Sequence, residues 1–243
     1  MNDPVHLEAP AKLTVSLRVT GVRPDGYHLI DAEMVTLSLA DRIEVRPLRG
    51  DEAPSVTYSG AWAPQQSSAD DLVSRALQLA GRSDVAARVI KEIPAGAGLG
   101  GGSADAAAVL RWAGVSDLEL AARLGADVPF CVVGGRARVR GIGEVVEPLP
   151  PLTGEFTLLI PDVHCSSAAV YRRWDELGGP VDPRADGNDL TTAALDLYPD
   201  LELARERLAT ATGIEPRLAG SGSTWWVPGA FPGPGRRVVR VRG

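Results

Sequence analysis

Residues 94–103 read Pro94-Ala95-Gly96-Ala97-Gly98-Leu99-Gly100-Gly101-Gly102-Ser103, and the flanks of this run give it meaning. Upstream, residues 85–91 have the composition of a strand. Downstream, Ala104-Asp105-Ala106-Ala107-Ala108-Val109-Leu110 is a strong helix former. A glycine loop between strand and helix lets backbone N–H groups approach an anion with no Cβ in the way, and the helix adds its positive amino end. The expectation is a phosphate cradle made by Pro94, Gly96, Gly98, Gly100, Gly101 and Gly102, with Leu99 anchoring the loop to the core and Ser103 offering its hydroxyl. Glycine richness alone suits a linker or a capping turn equally well; the position between strand and helix favours the cradle. The run is not a Walker A loop, since no Gly-Lys-Ser/Thr follows. Nor does it open the first βα unit, as a dinucleotide fingerprint would.

Working outward, residues 12–19 alternate apolar and polar in the two-residue period of a half-buried strand. Arg23-Pro24-Asp25-Gly26 has turn chemistry, and extended patterns recur over 28–36 and 42–46. Helical spacing predicts a helix over 70–81 that stops at Gly81. Ser116-Asp117-Leu118-Glu119 has the spacing of a capping box ahead of a helix ending near Gly125, and Asp127-Val128-Pro129 marks another helix start. Beyond a Pro-rich joint near 150 the pattern predicts a strand over 156–160, helices over 167–174 and 190–212, and strands near 217, 223–227 and 238–241. Residues 228–235, rich in Pro and Gly, read as a structureless connector that excludes helix. The expected division is a first domain over 1–150 and a second over 151–243.

The 243 residues are 44% hydrophobic, enough to bury a core without staples. The formal charge of −6 argues against a nucleic-acid partner. Cys131 and Cys165 lie far apart without metal-ligand spacing, so no structural metal or disulfide framework is expected. No apolar run approaches a membrane span, and Met1-Asn2-Asp3-Pro4 lacks the basic and apolar regions of a signal peptide. The expectation is a cytoplasmic protein with no membrane partner.

Pro94-x-x-x-Gly98-Leu99-Gly100-x-x-Ser103-x-x-Ala106 resembles the phosphate-binding motif of the GHMP kinase superfamily, which includes galactokinase, homoserine kinase, mevalonate kinase and phosphomevalonate kinase. Ala9-Pro10-Ala11-Lys12-Leu13 with Asp25-Gly26-Tyr27-His28, and Gly125-Ala126-Asp127-Val128-Pro129-Phe130, are similar to the bacterial branch that phosphorylates 4-diphosphocytidyl-2-C-methyl-D-erythritol in non-mevalonate isoprenoid synthesis. Asn188-Asp189-Leu190 and Leu218-Ala219-Gly220-Ser221-Gly222-Ser223 extend the likeness over residues 8–227.

The resemblance implies an α+β fold: an N-terminal domain like the second domain of ribosomal protein S5, then a smaller ferredoxin-like domain, with the substrates in the cleft between. It implies ATP, with Mg²⁺ carried by the nucleotide, and a small-molecule alcohol as partner, in a monomer or homodimer. By the same resemblance Asp127 accepts or orients the hydroxyl proton and Lys12 stabilises the phosphoryl group. Thr14, Tyr27 and His28 meet the substrate, Tyr27 by stacking on cytosine and His28 by hydrogen bonding to it. Asp71 lies near the adenine, and Gly220, Ser221 and Gly222 bring amides to the substrate diphosphate.

Each of these residues also has a plainer reading. Asp127 suits an N-cap, Lys12 a snorkelling strand lysine, Tyr27 and His28 a packed strand start, and Gly220–Ser221–Gly222 a tight turn. A kinase for another alcohol, or a silent ligand-binding relative, are the rival functions; the second would be expected to lose Lys12 or Asp127.

Three departures from the family pattern stand out. Thr14 occupies a position that is usually Asn. The stretch between Trp174 and Asn188 is short where the family supplies a second aromatic over cytosine, a part Trp174 would then take. Residues 228–235 replace a helix, leaving Trp225 or Trp226, or a second subunit, to cover the exposed sheet, with one of the two indoles in the core and the other on the surface.

Overall fold

Two long antiparallel strands organise the chain, β1 (Val5–Val22) and β2 (His28–Pro47), paired from Val5↔Val45 to Val22↔His28 with three register shifts. The structure, a computed structural model, describes residues 3–64, 71–184 and 187–243. The turn between the strands closes through Gly26 N–H donating to Arg23 C=O at 2.9 Å, with Gly26 at φ 86°, a conformation that favours glycine. The two extended patterns expected over 28–36 and 42–46 are one strand.

Then follow β3 (Ser55–Ser59), α1 (Leu72–Leu79), β4 (Val85–Ile90), α2 (Gly101–Trp112), α3 (Leu118–Ala122), α4 (Val128–Val133), β5 (Arg136–Gly141) and β6 (Val145–Pro148). The second half holds β7 (Glu155–Leu159), α5 (Ser167–Glu176), α6 (Thr191–Leu197), α7 (Asp200–Thr212), β8 (Arg217–Leu218), β9 (Trp225–Pro228) and β10 (Arg236–Arg242). Opposite β1, β2 takes three partners in turn: β5 along residues 30–35, β10 at Thr36 and Leu37, and β4 along residues 42–47. Through β10 the sheet continues to β7, β9 and β8, so strands of both halves are hydrogen-bonded together. Burial along β2 changes phase between Met34 and Val35, from Ile30, Ala32 and Met34 in one apolar cluster to Val35, Leu37 and Leu39 in the other, and this break in alternation is why β2 looks interrupted in sequence.

Two apolar clusters lie on opposite faces. One gathers Leu17, Met34, Ile43, Val89, Leu110, Phe130 and the helices. The other joins Leu13, Val35, Leu37, Ile93 and Leu99 to Phe156, Leu158, Trp226 and Val239. Adjacent Trp225 and Trp226 point to opposite faces, as the pleat requires.

Both indoles are buried, which corrects the expectation that one would lie at the surface. Trp225 Nε1–H donates to Leu201 C=O at 2.9 Å beneath α7, and Trp226 meets Phe156 edge-on at 4.9 Å. Residues 228–235 form no helix, yet they are not structureless. Thr157 Oγ1 donates to Gly229 C=O at 2.7 Å and accepts from Phe231 N–H at 2.9 Å, pinning the connector to β7.

Helix ends account for other differences. The expected helix over 190–212 breaks into α6 and α7 at Tyr198-Pro199, because proline disfavours helical conformation in the residue before it. The cap of α3 is Asp117 rather than Ser116: its carboxylate accepts from Glu119 and Leu120 N–H at 2.9 and 3.1 Å. Asp70, the expected start of α1, lies outside the described residues; Asp71 is that helix's N-cap.

Candidate active site

Residues 94–103 turn on alternate glycines, Gly96, Gly98 and Gly100, with φ of 67°, 75° and 68°, where side-chain-bearing residues are strained. Steric contact is equally demanding: a Cβ on Gly98 would lie 2.1 Å from Ala219 C=O, and one on Gly100 would lie 2.8 Å from Lys12 Cγ. The loop is stitched on three sides. Lys12 N–H donates to Leu99 C=O at 3.0 Å, Cys165 N–H to Gly96 C=O at 3.2 Å, and Thr224 N–H to Ala97 C=O at 3.2 Å. Gly100 is the N-cap of α2 and offers no side-chain cap. The first intrahelical bond across that end is Ala104 N–H to Gly100 C=O at 2.8 Å, so the N–H groups of Gly101, Gly102 and Ser103 have no partner within the helix.

These groups line a cavity of 830 Å³. Of the residues singled out in the sequence, Lys12, Thr14, Tyr27, His28, Pro94, Gly96, Gly98, Gly100, Gly101, Gly102, Ser103, Asp127, Gly220, Ser221 and Gly222 all line it. Leu99 is fully buried beneath the loop, in the anchoring position expected of it. Asp71 is not brought to the wall. Its carboxylate caps α1 through Val73 and Ser74 N–H at 2.9 and 3.1 Å, and it also accepts from the Tyr58 and Ser74 hydroxyls. Its neighbour Leu72 lines the cavity instead.

Lys12 Nζ lies 3.2 Å from Asp127 Oδ2 and donates to Thr14 Oγ1 at 3.0 Å. Asp127 holds the N-cap position of α4, but its φ of −86° and ψ of −11° are helical and its side chain makes no cap hydrogen bond. The capping role that competes with chemistry in the sequence is therefore not exercised, and the carboxylate, 30% exposed, faces the cavity beside the buried ammonium. Behind it, burial first and the Asp127 charge second push the Cys131 thiol up to about 12, so this side chain stays a neutral thiol.

The second glycine loop is held from below. Asn188 Nδ2 donates to Leu218 and Gly220 C=O at 3.0 and 2.7 Å, while its Oδ1 accepts from Leu190 N–H. Asp189, also buried, accepts from Arg18 and Val19 N–H. The Asn188-Asp189-Leu190 motif thus shapes the wall without reaching the cavity. Ser221 Oγ is 2.7 Å from Ser167 Oγ.

Helix α5 supplies wall residues that the sequence reading missed. Ser167, Tyr171 and Asp175, with Ala168 and Arg172, recur every four residues along one face. His28 packs on Tyr171 with ring centroids 4.7 Å apart, and its Nε2 is 2.9 Å from Asp175 Oδ1. Trp174, expected to stand over the substrate, is buried behind His28 with its Nε1–H bound to Pro180 C=O at 2.8 Å; the aromatic that α5 brings to the wall is Tyr171. Helical periodicity carried this signal, since Tyr171 is one turn before Trp174 on the face shared with Ser167.

Beneath the loop, Lys91 Nζ is bound between the carboxylates of Asp41 and Asp105, all three buried. Among the described residues no group of three His, Cys, Asp or Glu could hold a metal ion, and no helix is long and apolar enough to cross a membrane.

A cradle of free amides at a helix start, with a lysine–carboxylate pair beside it in one cavity, is the arrangement of a small-molecule phosphotransferase, and residues 68–135 match the family model "GHMP kinases N terminal domain". The chain is 37% identical to the 4-diphosphocytidyl-2-C-methyl-D-erythritol kinase of Geobacillus thermodenitrificans, over 90% of this chain and 86% of that one. It is 38% identical to the enzyme of that name from Paracoccus denitrificans, over 91% and 86%. A crystal structure of 4-(cytidine 5'-diphospho)-2C-methyl-D-erythritol kinase, 29% identical, superposes with a TM-score of 0.76 over 98% of this chain and 100% of that one. The chain belongs to the 4-diphosphocytidyl-2-C-methyl-D-erythritol kinase family, within the GHMP kinase fold of mixed α and β structure.

Proposed function

We propose that the chain transfers the γ-phosphoryl group of ATP to the 2-hydroxyl of 4-diphosphocytidyl-2-C-methyl-D-erythritol. One observation carries the reading: Lys12 and Asp127, 3.2 Å apart, line the same cavity as the unpaired amides at the start of α2. Residues 96–103 hold the nucleotide phosphates. Asp127 takes the hydroxyl proton as the oxygen attacks the γ-phosphorus, the bond to the bridging oxygen breaks, and ADP leaves. Lys12 offsets the charge on the transferred oxygens, and Thr14 holds its ammonium in place.

Tyr27, His28 and Tyr171 form the aromatic corner suited to a cytosine, and Gly220, Ser221 and Gly222 face the substrate diphosphate. Around the loop stand N–H groups, an ammonium and the Ser103 hydroxyl, with the single Asp127 carboxylate on the same wall, a set that suits phosphate oxygens better than a dedicated metal cage; Mg²⁺ would enter as the nucleotide's complex, neutralising its phosphates. In this reading residues 1–150 form the S5-like domain and residues 151–243 the ferredoxin-like domain of a cytoplasmic enzyme, monomeric or homodimeric.

The test is to follow the phosphorus signals of Mg-ATP and the cytidylyl substrate with wild type and Asp127→Asn. The reading expects a new phosphomonoester resonance with wild type and almost none with the variant. Normal turnover by the variant would remove Asp127 from its role, and no turnover by wild type with this alcohol would turn attention to another.

A further inference from the structure

The buried triad under the glycine loop holds an imbalance of charge, two carboxylates to one ammonium. Lys91 leaves β4 one residue past its end, and a Cβ on Gly101 would lie 3.4 Å from its Nζ, so the ammonium sits directly beneath the first residue of α2. Asp41, from β2, is fully satisfied: it binds Lys91 and accepts from Glu92 and Ile93 N–H, fixing the chain as it enters the loop. Asp105, on the second turn of α2, binds Lys91 through Oδ2 at 2.5 Å, but its buried Oδ1 has no hydrogen-bond partner. A buried carboxylate with an idle oxygen is costly as an anion and comfortable as an acid.

We infer that Asp105 is a proton-exchanging positioning residue of the phosphate cradle, taking up a proton when a nucleotide's phosphates settle on the start of α2. The inference rests on the cradle reading above. With Asp105 ionised, the triad places a net negative charge under the amides that receive the phosphates; with Asp105 protonated, Lys91 and Asp41 cancel and the dipole of α2 acts unopposed.

The other charged or titratable groups facing Asp105 do not replace it in this role. Tyr58 of β3 has its hydroxyl bound to Asp71 and its ionisation raised, burial being the main cause and the Asp71 and Asp105 charges adding to it, and the Cys131 thiol of α4 stays neutral. Burial drives the Asp105 carboxyl above the usual carboxylate range, to about 7; Lys91's charge opposes this and Asp41's reinforces it. Anionic phosphates overhead push in the same direction, so binding should draw a proton and weaken as pH rises.

Calorimetric titration with Mg²⁺ and β,γ-methylene-ATP, in buffers of different ionisation heat from pH 6 to 8.5, compares wild type with Asp105→Asn. The ligand's own protonation is common to both. Wild type should take up more protons than the variant, and the variant should bind about fivefold tighter than wild type at pH 8.5 but within about twofold at pH 6. Carboxyl ¹³C NMR of wild type, with and without the nucleotide analogue, reads the same proton should the variant fold poorly: the Asp105 signal should move toward the acid form on binding. Parallel pH curves, or a carboxyl signal that ignores the ligand, overturn the inference while leaving the cradle intact. A wild type that binds no nucleotide removes the cradle, and this inference with it.

Discussion

Of the 25 Lys and Arg residues only Lys12 and Lys91 are lysines, and both are buried beside the same glycine loop. Everywhere else the chain uses arginine. A lysine's compact charge fits where a planar guanidinium does not, and the space is short: Gly100 lies against the Lys12 stem and Gly101 over the Lys91 ammonium. The two differ in what they face. Lys12 shares one carboxylate that opens to the cavity, whereas Lys91 is sealed between two that do not. An exposed partner leaves a pair free to act on a bound molecule; a sealed pair can act only through the backbone it holds and the charge it carries.

The comparison is broken most directly at the open pair. Asp127→Asn and Lys12→Met should each lower kcat by about 10³-fold, near 4 kcal/mol of barrier, while Asp127→Asn lowers the urea midpoint only modestly, because that side chain caps nothing and its carboxamide oxygen still accepts from the Lys12 ammonium at the cavity's edge. Steady-state kinetics beside an unfolding curve separates the two effects. Lys12→Arg should not restore activity.

The sealed pair should respond in the opposite sense. Lys91→Met leaves Asp41 and Asp105 unpaired in the interior and should cost about 3 kcal/mol of stability, read as a lower urea midpoint. A Lys91→Met protein as stable as wild type would show that the triad does not hold the loop's entrance. A smaller effect sharpens the picture at the far wall: Tyr171→Leu should raise KM for the cytidylyl substrate about tenfold, roughly 1.4 kcal/mol, with KM for ATP unchanged.

The open pair was legible in the sequence and the sealed one was not. Lys12, Asp127 and the glycine loops sit in contiguous motifs, and the resemblance of those motifs to a known family is what pointed to them. Lys91 follows the end of β4, while Asp41 and Asp105 come from β2 and α2, 50 and 14 positions away, and only the sheet register that lays β4 on β2 brings them together. Tyr171 was lost for a different reason: Trp174 is the larger aromatic, but it is buried behind His28 with its indole N–H on Pro180 C=O, and the ring one turn earlier reaches the cavity. The strands and helices were mostly visible as patterns. The union of β2's two segments and the hydrogen bonds that hold residues 228–235 depend on distant partners, which periodicity does not report.

The smallest expected effect tests whether the sealed pair carries its charge as a stability cost. Asp105's folded carboxyl titrates at about 7, above its ordinary value of 3.8. A raised carboxyl contributes stability that is fully present below about pH 4 and is lost as pH climbs toward 7, because the unfolded chain ionises more easily. Asn at this position has nothing to lose. The carboxylates held low by arginine, Glu8, Asp31, Glu52, Asp84 and Asp182, run the other way, but they are common to both proteins and titrate at lower pH. The stability of Asp105→Asn relative to wild type should therefore rise between pH 5 and 7, by on the order of 1 kcal/mol, and level off by pH 8. Urea unfolding of the two proteins at each pH measures this difference, and any constant offset from the changed hydrogen bond drops out of its slope. A flat difference across that range would mean that Asp105 stays ionised beneath the loop, with Lys91 shared evenly between its two carboxylates.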